Sequence, residues 1–413
     1  MASPLQIGPG ILDGLRVLDF TRVVAGPSLT RALADLGAEV IKVEPPEGDL
    51  LRTGWPRRDG IAVIFAGQNA GKRFMALDLD QPAAVEVALR LAERCDVVVE
   101  NFRPGVAAKL GIGYEQVRAR RPDVVYCSIS GYGQDGRASQ RRAYAPVVHA
   151  EVGLLHLKAR EWELDPKPEP VSHADIAAGM AGAHGVLAAL WRRERTGEGA
   201  YIDASMVESM IAQSDWTTTD INGGPDYENS PFRPGKAAVV QLGDEAKTWV
   251  AIPGSPVAMF VSCAKLAKRM DLLEDPRFAT KAARAAHMEE CLAFVTEWAA
   301  TFDSFDAFED LLSNGARMPV GRIVSTADTL KSDWAQDRDA YVEVSCGDDT
   351  VTVNRAALRI AGTDCGPRSG LKHLGADNDA VLRDVLDLDD GELHRLHAAG
   401  ALIDRATKHL RPT

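Results

Sequence analysis

No two cysteines form a CxxC pair in this sequence; Cys95, Cys127, Cys263, Cys291, Cys346 and Cys365 stand far apart. Zinc sites and secreted disulfide frameworks both need clustered or paired cysteines, so neither is indicated, and the six are expected to be buried, reduced thiols. No stretch reaches the roughly 18 uninterrupted apolar residues of a membrane helix. The opening MASPLQIGPG lacks the basic-then-apolar layout of a signal peptide, so the cytoplasm is the expected compartment, with no membrane partner. No basic tract offsets the 59 Asp and Glu against 47 Lys and Arg; the net charge of −12 argues against a general nucleic-acid binder. The first strand is not followed by GxGxxG, and no GxxxxGK precedes a Ser or Thr, which disfavours a nicotinamide or ATP enzyme. What remains, with 413 residues, 46% hydrophobic and 26% charged, is a globular chain of about two or three domains.

What is present first is an alternation of strand and helix patterns. LRVLDF (Leu15 to Phe20), a helical spacing from Ser28 to Leu36 and AEVIKVE (Ala38 to Glu44) form a βαβ unit, which demands a parallel sheet. The pattern recurs as a helix over Pro82 to Arg94 feeding DVVVE (Asp96 to Glu100), and another over Tyr114 to Arg120 feeding DVVYCSIS (Asp123 to Ser130). Such uniformly apolar strands are expected to be buried on both faces. AYIDAS (Ala200 to Ser205) adds a further strand, after Gly197 and Gly199. From Asn222 to Gly243 the composition turns to Gly, Pro, Asn and charge, which reads as a linker; TWVAIPG (Thr248 to Gly254) opens a mainly helical region, followed by strands at YVEVS and TVTVN and a helical tail from Asp377.

Two strand ends carry unusual loops, TRVVAGP (Thr21 to Pro27) and NFRPG (Asn101 to Gly105). Open parallel sheets bind ligands at the carboxyl ends of their strands, so both loops are binding candidates as well as ordinary turn chemistry. Asp175 heads a helix whose next turns carry Ala177, Ala178, Gly179, Ala181, Gly182, Ala183 and Gly185. An Asp there serves as an N-cap or as a nucleophile. Glycine inside a helix costs about 0.5–1 kcal/mol relative to alanine, so the cluster predicts close approach by a ligand or a second chain.

GILDGLRVLDFTRVVAGPSLTRALADLGAEVIKVEPPEGDLLR (Gly10 to Arg52), GKRFMALDL, VVVENFRPG, CSISGYGQDG and ADIAAGMAGAHGVLAAL followed by RTGEGAYID together resemble the class III CoA-transferases. The resemblance covers essentially the whole chain, with DPRF and MPVGRI as later landmarks. It implies a doubly wound, Rossmann-like α/β large domain with a smaller inserted domain, as residues 1–225, 226–330 and 331–413, in an interlocked homodimer. By the same resemblance, Asp175 is the catalytic aspartate. Val23, Val24, Asn101, Phe102, Lys109 and Arg142 match positions near coenzyme A, with Lys42 and Arg52 as weaker candidates. The implied substrates are an acyl-CoA and a carboxylic acid; no tightly bound cofactor and no metal is implied.

Departures from the family pattern bear on the chemistry. Tyr144 and Ala145 stand where relatives place an acidic residue or, in racemases, a His–Asp pair. Val24 replaces a glutamine of formyl-CoA transferase, and Gly223 and Gly224 do not reproduce its glycine-rich loop. Three readings follow: a CoA-transferase, a racemase of the α-methylacyl-CoA type in which Asp175 works as an acid or base with His149 and His173 nearby in sequence, and a CoA binder without turnover. Racemisation needs proton-transfer groups on both faces of the α-carbon, which makes the missing His at 144 a difficulty for the second. Trp216, Tyr227, Phe232 and Arg233 are candidates for an acyl pocket, and an Arg there would suit a dicarboxylic substrate such as succinyl-CoA.

Overall fold

The computed structural model describes residues 9–223 and 238–404. Within them the chain divides into two compact units, Met1–His156 with Pro166–Ser214 and Asp333–Thr413, and Leu157–Asp165 with Asp215–Ser332. The short piece Leu157–Asp165 groups with the second unit, where Arg160 pairs with Asp220 at 2.8 Å.

The first unit is built on six parallel strands: β1 (Arg16–Asp19), β2 (Glu39–Glu44), β3 (Arg73–Ala76), β4 (Val97–Glu100), β5 (Val125–Ser130) and β6 (Ala200–Ser205). They lie in the order β3-β2-β1-β4-β5-β6, the Rossmann-like order. The register sets Val17 between Val40 and Val97. Successive residues of a strand face opposite sides, so Val17, Val40, Val97 and Val125 join one core and Leu18, Ile41, Val98 and Tyr126 the other. Full burial stabilises each Val or Leu by about 1.5–3 kcal/mol, and only a sheet covered on both faces collects it from every position.

Helices α1 (Ala25–Asp35) and α5 (His173–Thr196) supply the first of these cores, and α2 (Pro82–Glu93) and α3 (Tyr114–Arg120) the second. A short helix, α4 (Ala145–Glu151), packs Ala145 and Val148 on the α5 side. The length and apolarity of α5 match those of a membrane-crossing helix, but its Ala177, Ala178, Gly182 and Val186 are buried in the unit. The expected approach of a ligand or second chain to its glycines is corrected here: the neighbours are the chain's own. A Cβ on Gly179 would stand 2.0 Å from Ser28 Oγ and 2.6 Å from the Ala25 carbonyl; one on Gly182 would meet Leu29 at 2.5 Å. The small residues let α1 lie against α5.

The second unit holds an antiparallel sheet of β7 (Ala238–Gln241), β8 (Trp249–Ile252) and β9 (Gly321–Arg322), with helices α6 (Pro256–Leu266), α7 (Met288–Ala299) and α8 (Phe305–Ala316). Val240, Val250, Ile252, Phe308 and Leu312 form its core, where Phe302 and Phe308 pack edge to face at 5.0 Å. The stretch read as linker therefore contains a strand, whose four residues AVVQ are too few for their alternation to stand out. The tail from Asp377 divides into two helices at Asp387, which has a φ of +56°.

Candidate active site

Strand order reverses at β1, whose neighbours β2 and β4 begin the two halves of the sheet, and a crevice opens beyond the carboxyl ends of β1 and β4. The loops leaving those ends, with the segment from Gly131 to Tyr144 after β5, line a cavity of about 660 Å³. Arg22, Val23, Asn101, Phe102, Arg103, Arg142, Tyr144 and Asp175 all border it. A smaller recess of about 210 Å³ shares Arg22, Glu47 and Phe102 with it and extends along Leu77 to Asp80.

Asp175 lies in the first turn of α5. Ser172 occupies the N-cap position without a side-chain hydrogen bond, so Asp175 is not the cap. The residue is 8% exposed, and the backbone amides of Ala25 and Ala145, the first residues of α1 and α4, favour its ionised carboxylate. Three helix N-termini thus meet at one carboxylate, and each favours negative charge. Burial works against them and is the larger effect, raising the pKa to about 6. The result is a carboxylate that ionises at neutral pH while stripped of most of its water.

The other expected site residues divide. Val23, Asn101, Phe102 and Arg142 border the cavity; Val24, at the N-cap of α1, and Lys109, exposed at the end of the short helix Val106–Lys109, do not. Asn101 spends its carboxamide on the chain itself, accepting the Arg22 amide and donating to the Arg22 carbonyl, both at 2.8 Å. Lys42 and Arg52 are corrected from ligand contacts to internal ones. Lys42 is wholly buried, 3.0 Å from Asp49, and Arg52 forks onto Glu44 with 2.7 Å contacts while stacking over Phe65. Arg103 and Arg142 have no ion-pair partner among the described residues. Arg141 is held by Glu151 and lies over the Tyr132 ring. Sequence reasoning missed Arg22, Arg103 and Arg141 as cavity residues, although Arg22 and Arg103 sit inside the two loops it marked.

His149 is buried and its Nε2 accepts the Ala174 amide at 3.1 Å, so it serves the backbone beside Asp175. His173 is exposed. Glu100, at the end of β4, accepts the Ser128 hydroxyl and the Phe102 amide; burial raises its pKa to about 7. Trp216 is half-buried and is not among the cavity-lining residues, while Gly224, Tyr227, Phe232 and Arg233 lie outside the described residues. No group of three or more His, Cys, Asp or Glu suited to a metal occurs among the described residues.

A crevice at the switch point of a Rossmann-like sheet, with a desolvated carboxylate and arginines unpaired among the described residues, has the features of a site for an anionic ligand. Residues 12–378 match the model of CoA-transferase family III, and the chain belongs to that family as a CoA-transferase. It is 30% identical to succinyl-CoA:glutarate CoA-transferase of Mus musculus over 96% of this chain and 91% of the relative. It is 31% identical to formyl-CoA:oxalate CoA-transferase of Streptomyces coelicolor, covering 95% and 99%. Among solved structures, a CAIB/BAIF family protein from Brucella suis aligns with a TM-score of 0.79 at 28% identity, over 92% of this chain and 100% of that one. The family takes CoA thioesters as substrates, and these relatives favour neither the racemase nor the binder reading.

Proposed function

We propose that this enzyme moves CoA from an acyl-CoA donor to a free carboxylic acid through a covalent aspartyl-CoA thioester on Asp175. One observation carries the reading: a nearly buried carboxylate, its charge favoured by the amides of Ala25 and Ala145, borders a cavity large enough for a thioester. An Asp175 oxygen adds to the thioester carbonyl, the C–S bond breaks, and a mixed anhydride and CoA thiolate result. The thiolate adds to the aspartyl carbonyl, the C–O bond breaks, and the donor acid leaves as its carboxylate. The acceptor carboxylate then attacks the aspartyl thioester and expels the thiolate. Attack of the thiolate on the acceptor carbonyl gives the new acyl-CoA and restores Asp175. Each step exchanges one oxyanion or thiolate for another and needs no proton transfer, so the backbone amides around Asp175 supply the main assistance, holding charge as it develops.

Coenzyme A is long and carries phosphates at one end. The unpaired Arg103 and Arg142 suit those phosphates, and the recess beyond Arg22 gives the nucleotide end room. The acceptor is proposed to be a dicarboxylic acid, in keeping with the glutarate and oxalate named for the two relatives. A panel of acceptors in which monocarboxylates are preferred would remove that assignment. The working unit is proposed to be a cytoplasmic homodimer: exposed Trp55, Trp191 and Trp334 are available to an interface, and the six free thiols suit a reducing compartment. Light scattering showing a monomer would overturn the dimer.

Incubation with acyl-CoAs, hydroxylamine trapping and peptide mapping tests the chemistry. Hydroxamate on Asp175, absent from Asp175→Ala, is expected. Exchange of the α-proton in deuterated water without any adduct would replace transfer by racemisation.

A further inference from the structure

The segment from Thr21 to Pro27 is gripped from the protein side by buried groups. Lys42 donates to the Thr21 carbonyl at 2.8 Å and pairs with Asp49 at 3.0 Å. Asp49, as buried as Lys42, accepts the Val23 amide on its two oxygens at 3.1 and 3.2 Å. Lys72 holds the far end, donating to the Pro27 carbonyl at 3.2 Å while paired with Asp19 at 3.0 Å. In the middle, Val23 has a φ of +68°. A β-branched residue rarely enters that left-handed region, which costs L-residues free energy, so something must hold it there. Two residues on, Ala25 opens α1 and borders the same cavity as Asp175, with its amide favouring the ionised carboxylate.

The geometry points to Lys42 and Asp49 as a positioning pair for the transfer reaction, holding Val23 left-handed so that the Ala25 amide stays turned to the Asp175 carboxylate. A buried Lys–Asp pair contributes little net stability compared with apolar side chains of similar volume, so its value here lies in the conformation it imposes. Were Val23 to relax to negative φ, the chain would swing at Val24 and carry the Ala25 amide away. The loss would fall on chemistry: when thiolate attacks the aspartyl carbonyl, the oxygen that becomes the oxyanion is one of Asp175's own, and an amide already facing it stabilises the charge.

This inference rests on Asp175 as the nucleophile, which trapping in the wild-type enzyme tests separately. Lys42→Met/Asp49→Ala removes the clamp without stranding a buried charge. It is expected to lower kcat and the trapping rate by about 10–100-fold, with KM for acyl-CoA little changed. Adding Val23→Gly to that double variant should restore part of kcat, because glycine adopts positive φ without the clamp. Val23→Pro, which leaves the ion pair intact but fixes φ near −65° and deletes the amide, should reproduce the kcat defect and serves if the double variant does not fold. Wild-type kcat in either the clamp variant or Val23→Pro overturns the assignment, as does a clamp defect that Val23→Gly does not relieve. A wild-type enzyme that gives no Asp175 adduct overturns the nucleophile instead.

Discussion

From Thr21 to Pro27 the cavity wall has backbone groups met by Lys42, Asp49, Lys72 and Asn101, all buried or half-buried; from Gly131 to Tyr144 it carries exposed arginines. On that second side Arg141 leans on Glu151 and Tyr132, Arg142 has no partner among the described residues, and Asp203 holds the Gln134 amide at 2.8 Å. The difference matches the work proposed for each side. An amide that must stay on a nucleophile's oxygen needs fixed geometry, because the advantage of a preorganised donor is lost with small displacements. A guanidinium that gathers phosphate needs charge and reach, and an exposed side chain supplies both.

The largest effect is expected at Asp175, which both walls face. Asp175→Ala should lower turnover at least about a thousandfold and abolish trapping, while binding of CoA, measured by calorimetry, changes little. The same residue makes stability and turnover depend on pH. Asp175 titrates near 6 in the folded protein and near 4 when unfolded, so the native state binds more protons between those values and stability falls as pH rises through that window. Above pH 6 the ionised group destabilises the fold by about 3 kcal/mol at most, on the one-unit value of 1.36 kcal/mol. Asp175→Asn should therefore raise Tm at pH 8 and not at pH 4. Turnover in the wild type should decline below about pH 6, as the carboxylate is protonated.

A smaller effect is expected where α1 meets α5. Gly179→Ala places a methyl 2.6 Å from the Ala25 carbonyl, which cannot move without moving the amides beside it. A loss of about 1–3 kcal/mol in denaturant unfolding, with slower trapping at Asp175, is the expected outcome. At Gly185 the nearest atom is 3.1 Å away on a side chain, Ile202, and Gly185→Ala should cost less than Gly179→Ala. The smallest effect belongs to the exposed wall. Arg142→Ala should raise KM for acyl-CoA by about tenfold, less at high salt, and leave kcat and stability nearly unchanged. A kcat defect without a KM change would move Arg142 from ligand capture to the chemistry.

Much of this was readable from pattern. LRVLDF, AEVIKVE, DVVVE and DVVYCSIS became the centre of the sheet because runs of Val, Ile and Leu that long have nowhere else to be buried. The two marked loops do leave adjacent strand ends. Lys42 and Arg52 were misread, since a basic residue in sequence looks the same whether it faces a ligand or a buried carboxylate. The small-residue helix was half legible: composition announced a close approach and could not say that Ser28 and Leu29 make it.

The parallel sheet, its covering helices and the family motifs are legible along the chain alone, because periodicity and turn chemistry are local properties that survive without the fold. Only the folded arrangement brings Asp49 to Val23, Lys72 to Pro27, and the amides of Ala25 and Ala145 near Asp175. These partners are separated by 26 to 150 positions along the chain. Contacts over such distances depend on how strands and helices stack, and no local pattern encodes them.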